Sequence, residues 1–167
     1  MTRAHQSGQR GYTLMELVVV LALVAVAAAL VMPSVTRSFA NLELRLAAGS
    51  LSNFYAQART HAIYEARSYS VLRSPEPEAP QTLLLVRDDG KTIQSLTLPA
   101  QVQLKLEQSR DAWTRDLPPL HFFPNGTSQR ARLELTNQRG SRVDITLDPL
   151  TARARVSPLY LRDEVVE

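Results

Sequence analysis

The 167-residue chain contains no cysteine. Neither a disulfide framework nor a thiolate metal site is possible, and an exported domain of this size can be stable without them. Histidine is nearly absent too: His5, His61 and His121 are the three present, and none lies at metal-ligand spacing from another. No phosphate-cradling glycine loop and no nucleophile motif occurs. Asp88 and Asp89 could bind a cation, but no set of oxygen ligands at loop spacing accompanies them, and turn chemistry explains the pair better. The residues therefore point to neither catalysis nor a cofactor or metal, and a non-enzymatic role is expected. The formal charge of +3 suggests a basic protein, but Arg3 and Arg10 lie in the first ten residues. Setting these two aside leaves 17 basic against 16 acidic side chains, so a generally cationic surface for nucleic acid is not supported.

Charge is also missing from one long stretch. Between Arg10 and Arg37 the single charged side chain is Glu16. Residues 12–32 form a run of 21, which as a helix is about 32 Å long at 1.5 Å per residue. That length matches a hydrocarbon core of about 30 Å. A carboxylate inside such a segment costs roughly 2.5–3.5 kcal/mol at the centre and less near the interface, so Glu16 calls for a cationic partner. Cleavage after Gly11 would supply one: Tyr12 would become a new amino terminus, and the ammonium of a neighbouring subunit could neutralise Glu16.

Beyond Pro33 the pattern becomes amphipathic. Leu44, Ala47, Ala48, Leu51, Tyr55, Ala58, Ala62 and Ala66 recur at spacings of three and four, with Arg45, Ser52, Arg59 and Glu65 off the stripe. One helix from about Thr13 to about Ala66 is expected, apolar in its first half and laid against a domain in its second. After Tyr69 the period changes to two. Strands are expected at 68–72, 82–87, 92–98, 102–106, near 121, at 133–135, 143–147 and 153–156. Asp89-Gly90 and the 137–140 segment supply hairpin turns, and 111–119 reads as irregular. The fold class is α+β: a long N-terminal helix packed on a mostly antiparallel β-domain.

The stretch Arg10-Gly11-Tyr12-Thr13-Leu14-Met15-Glu16-Leu17 resembles the class III leader junction of type IV pilins and of type II secretion pseudopilins. Tyr12 stands where that family usually has phenylalanine, and Pro33 falls where the family commonly has proline. The resemblance implies a pilin-like fold with a cleaved leader at 1–11, a transmembrane half-helix at 12–33, an amphipathic half at 34–68 and a periplasmic β-rich domain at 69–167. It also implies cleavage after Gly11 by the prepilin peptidase, N-methylation of Tyr12 and an assembly role for Glu16. An ordinary secretory signal cut near Ala27 would leave Glu16 unexplained.

Phe123-Pro124-Asn125-Gly126 and Leu147-Asp148-Pro149-Leu150-Thr151 further resemble the minor pseudopilin H of type II secretion. Where H-type chains often read Thr-Gly-Arg, this one has Thr151-Ala152-Arg153. The implied partners are the other minor pseudopilins, the major pseudopilin, the prepilin peptidase and the inner-membrane assembly platform. The implied location is the inner membrane, single-pass, with the N-terminus cytoplasmic, the C-terminal domain periplasmic and the chain incorporated into a pseudopilus. A different class remains open, a type IV minor pilin that binds DNA through Arg153 and Arg155, with Arg162 nearby. Against it stand Asp163, Glu164 and Glu167. A singly anchored periplasmic domain unrelated to filaments is the third reading.

Overall fold

In the computed structural model the described backbone comprises residues 14–76, 81–109, 112–115 and 117–161, and the side chains of 30–38, 108, 109, 112 and 161 are not described. The element order is one helix, α1 (Leu14–Tyr64), followed by ten strands. These are β1 (Tyr69–Arg73), β2 (Thr82–Arg87), β3 (Thr92–Thr97), β4 (Val102–Ser109), β5 (Ala112–Thr114), β6 (Leu120–Phe122), β7 (Ala131–Asn137), β8 (Ser141–Leu147), β9 (Ala154–Val156) and β10 (Tyr160–Leu161). The chain divides into two compact units, residues 1–37 and 38–167.

The described part of the first unit is helix. Every side chain from 14 to 29 is exposed, and apart from Glu16 all of them are apolar. A helix apolar on all sides is built to be surrounded by apolar material. Among the described residues no helix is long and apolar enough to cross a membrane. The apolar stretch with described side chains, 14–29, measures about 24 Å at 1.5 Å per residue. The remainder of the expected span, 12–13 and 30–33, lies outside those described side chains.

In the second unit the remaining helix and two antiparallel sheets share one core. One sheet has the order β3-β2-β1-β6; the other runs β10-β8-β7-β4-β5, with β9 also paired to β8. Seven of the eight stripe residues are buried, Leu44, Ala47, Ala48, Leu51, Tyr55, Ala58 and Ala62, and Phe54 joins them. They share that core with Leu133, Leu135, Val143, Ile145 and Leu147 from the larger sheet and Tyr69, Val71, Leu85 and Phe122 from the smaller. The four alanines keep the helix surface low, which allows close approach of the sheets. Tyr55 stacks on Phe122, with ring centroids 5.9 Å apart and planes 26° from parallel. Burial pushes the Tyr55 phenol well above its ordinary pKa.

The eighth residue of the stripe, Ala66, is a correction. It is exposed and lies past the helix end with φ +51°. Its N–H donates to the Ile63 carbonyl and that of Arg67 to the Ala62 carbonyl, at 3.4 and 3.2 Å. These two bonds form a Schellman cap, whose left-handed residue is normally glycine because a Cβ is disfavoured there. Ala66→Gly is therefore expected to raise stability by about 1 kcal/mol, read as a higher urea midpoint at unchanged slope.

Ala152, the residue that departs from the Thr-Gly-Arg pattern, also has positive φ, +48°. The substitution leaves the turn in the shape glycine would give it and adds strain of about 1–2 kcal/mol. Its methyl is buried, so packing offsets part of that cost. The Phe123–Gly126 turn is held by Gly126 N–H donating to the Phe123 carbonyl at 2.9 Å. Gly126 has φ +81°, and a Cβ there would lie 3.3 Å from Ile63 Cδ1 on the helix, so both conformation and space favour glycine.

A polar rivet fixes the β7–β8 hairpin to the helix. Asn137 Oδ1 accepts the N–H groups of Arg139 and Ser141, both at 3.0 Å. Its amide nitrogen donates to Asn41 Oδ1 at 3.2 Å and to the Ala40 carbonyl at 3.4 Å, and Ser141 Oγ donates to Asn41 Oδ1 at 2.8 Å.

Candidate functional site

The processing residues Gly11 and Tyr12 lie outside the described residues. Glu16 is in the first turn of α1, where a carboxylate complements the positive end of the helix dipole. It sits on an exposed apolar surface, with Leu14, Met15, Leu17, Val19 and Val20 all about half exposed or more. An acid so placed is a single polar feature on a face otherwise suited to lipid or to other apolar helices.

The expected histidine and aspartate roles are local. His61 Nδ1 lies 2.9 Å from Glu65 Oε1, one turn away on the same helix. His121 Nδ1 is 2.7 Å from Ser70 Oγ on the neighbouring strand. Asp89 accepts from Arg87 Nε and from the Lys91 N–H, both at 3.0 Å. The Arg87 guanidinium and that backbone bond hold its carboxyl down at about 2. Asp89 thus closes the β2–β3 hairpin, while the Asp88 carboxylate lies 3.6 Å from Arg67. Among the described residues no group of three or more His, Cys, Asp or Glu side chains is arranged to hold a metal ion.

The most developed polar surface is the outer face of the larger sheet. Strand register places Trp113 opposite Glu107 and Arg132 opposite Thr146, which in turn faces Arg155. Arg132 Nη2 donates to Asp144 at 2.8 Å, its Nη1 lies 3.7 Å from Glu107, and its guanidinium carbon is 5.6 Å from the Trp113 ring centroid. That acid raises the Arg132 pKa further, and Tyr160 also donates to Asp144, at 2.8 Å. Burial, then the same carboxylate, push the Tyr160 phenol up to about 12. Glu134, almost fully buried, is paired with Arg142 and approached to 4.0 Å by Lys105.

At one end of this face a groove of about 660 Å³ is lined in part by Arg130, Arg132, Thr146, Pro149, Leu150 and Arg155. Of the arginines singled out from the sequence, the groove takes in Arg155 but not Arg153, and Arg162 lies outside the described residues. Sequence reasoning missed Arg130 and Arg132. The signal that could have found them is the alternation of β7, where Arg132 and Glu134 point away from the Leu133–Leu135 core side.

Comparison with known proteins bears on both parts. The N-terminal region matches the prokaryotic N-terminal methylation motif over residues 6–32. With a long helix packed on antiparallel sheets, the fold is pilin-like. No curated protein matches its sequence. Among solved structures, it is similar to the minor pseudopilin EpsH from the type 2 secretion system of Vibrio cholerae. The TM-score is 0.54 at 17% identity, covering 69% of this chain and 96% of that one. A second EpsH structure gives 0.55 at 17%, with coverages of 69% and 95%. It is equally similar to the type IV minor pilin FimU of Pseudomonas aeruginosa, with a TM-score of 0.55 at 18% identity and coverages of 71% and 90%.

Proposed function

We propose that the chain is a minor pseudopilin of H type, a structural component of a type II secretion pseudopilus that helps export folded proteins across the outer membrane. The observation that carries this reading is the continuity of the methylation motif at 6–32 with a helix running to Tyr64, whose later residues form the core of a pilin-like β-domain. The precursor is held in the inner membrane by the apolar half-helix at 12–33, with the N-terminus cytoplasmic and the β-domain periplasmic. The prepilin peptidase cuts after Gly11 and Tyr12 is methylated. Glu16 then pairs with the amino terminus of a neighbouring pilin-like subunit, a charge pair that is favourable in an apolar surrounding only when both partners are present. The partners are the other minor pseudopilins, the major pseudopilin and the inner-membrane assembly platform.

Intact mass and N-terminal sequencing of the membrane-associated chain, with and without the peptidase, test the reading. Loss of residues 1–11 and a methylated Tyr12 only when the peptidase is present are the expected result. An intact leader, or a cut near Ala27, would remove the filament reading. Glu16→Ala is expected to leave cleavage intact and to reduce incorporation into filaments at least tenfold, scored by sheared-fraction immunoblot.

The likeness to FimU supports a second reading, a type IV minor pilin, and the exposed Arg155 in a groove gives that reading its DNA-uptake form. Salt-dependent DNA binding lost in Arg153→Ala with Arg155→Ala would favour it over the first.

A further inference from the structure

The groove on the larger sheet has cations without counter-charges. Arg130 and Arg155 are exposed and make no ion pair among the described residues, whereas Arg132 is engaged by Asp144, Glu107 and Trp113. The carboxylates nearby are committed too. Asp148 Oδ1 accepts the N–H groups of Leu150 and Thr151 at 2.9 and 3.3 Å, and Glu107 lies toward Arg132. Beside the two guanidiniums stands an apolar wall, with Leu150 79% exposed next to Pro149.

We propose that this groove docks an extended, acidic and aliphatic peptide segment of a partner protein. The segment lies extended along the groove. Its carboxylates meet Arg130 and Arg155 in charge-assisted, bidentate contacts, and its aliphatic side chains cover Leu150 and Pro149. A nucleic-acid backbone fits less well, because it has no aliphatic side chain to cover the exposed Leu150 and Pro149. This surface is independent of the leader and of Glu16, so the proposal stands apart from the function proposed above.

The test uses the full chain in detergent micelles. Trp113, the only tryptophan, lies under Arg132 and reports binding by its fluorescence. The probe is a blocked Glu-Val-Glu-Val-Glu peptide, with Gln-Val-Gln-Val-Gln as the neutral control. Saturable binding of the acidic peptide, at least tenfold weaker for the neutral one and for Arg130→Gln with Arg155→Gln, is expected. Leu150→Glu, a change at an exposed site that leaves the arginines in place, is expected to weaken binding similarly through like-charge repulsion. No saturable binding, equal binding of the neutral peptide, or indifference to these substitutions overturns the proposal. Tighter binding of a DNA duplex through the same two arginines overturns the ligand class and makes the groove a nucleic-acid surface.

Discussion

Tyr55→Ala is expected to lower the stability of the folded domain by about 3–5 kcal/mol, the range for truncating a fully buried aromatic side chain. Tyr55 is 1% exposed, on the face of α1 that meets both sheets, and its ring rests on Phe122, itself fully buried. Removing it deletes apolar contact on the helix and on β6 together. The alanines beside it, Ala58 and Ala62, are too short to collapse into the space. A domain of this size has a net stability of about 5–15 kcal/mol, so the loss is a large fraction of the whole. Urea unfolding of the full chain followed by far-UV circular dichroism measures it. Tyr55→Phe keeps the ring and removes only a hydroxyl, and is expected to cost about 1 kcal/mol or less. A loss below about 1.5 kcal/mol for the alanine variant would mean that the stacked pair is not the joint between helix and smaller sheet.

Asn137→Ala should cost about 2–4 kcal/mol, because leaving buried polar groups without partners is dearer than the average hydrogen bond is valuable. The side chain accepts two backbone N–H groups of its own hairpin and donates to Ala40 and Asn41 on the helix. Truncation leaves the buried Ser141 N–H unmet and frees the hairpin from α1. Asn137→Asp separates the two effects, since a carboxylate can still accept from Arg139 and Ser141 but cannot donate to the Ala40 carbonyl. A double-mutant cycle with Asn41→Ala is expected to show coupling of about 1 kcal/mol or more. Simple additivity would show instead that the two asparagines act separately.

The helix was legible from spacing alone. Its end at Tyr64 lies two residues before the one expected, and seven stripe positions are buried. A 3.6-residue period sustained over several turns is a strong physical signal. It stops being one at the last turn, where Ala66 continues the spacing while the backbone has already turned left-handed. Most strands fall where alternation put them, and β2 coincides with its expected range. β5 and β10 were not expected: at three and two residues they are too short to show a period, and pairing with β4 and β8 makes them strands. Alternation also says nothing about which strand pairs with which. The joining of β6 to β1, and the division into two sheets, depend on contacts distant in sequence. For the same reason Arg155 could be singled out by composition, while its grouping with Arg130 and Arg132 required the register.

The bond from Ser141 to Asn41 spans 100 residues, which fixes a schedule as well as a structure. A ribosome adds about 5–20 residues per second. The helix face that will form the core, complete once Ala62 is added, therefore waits roughly 4–17 s for the hairpin that ends at Leu147. During that interval Leu44, Leu51, Phe54 and Tyr55 have none of their eventual β7–β8 neighbours, and a holding factor that covers an apolar helix face would find its substrate then.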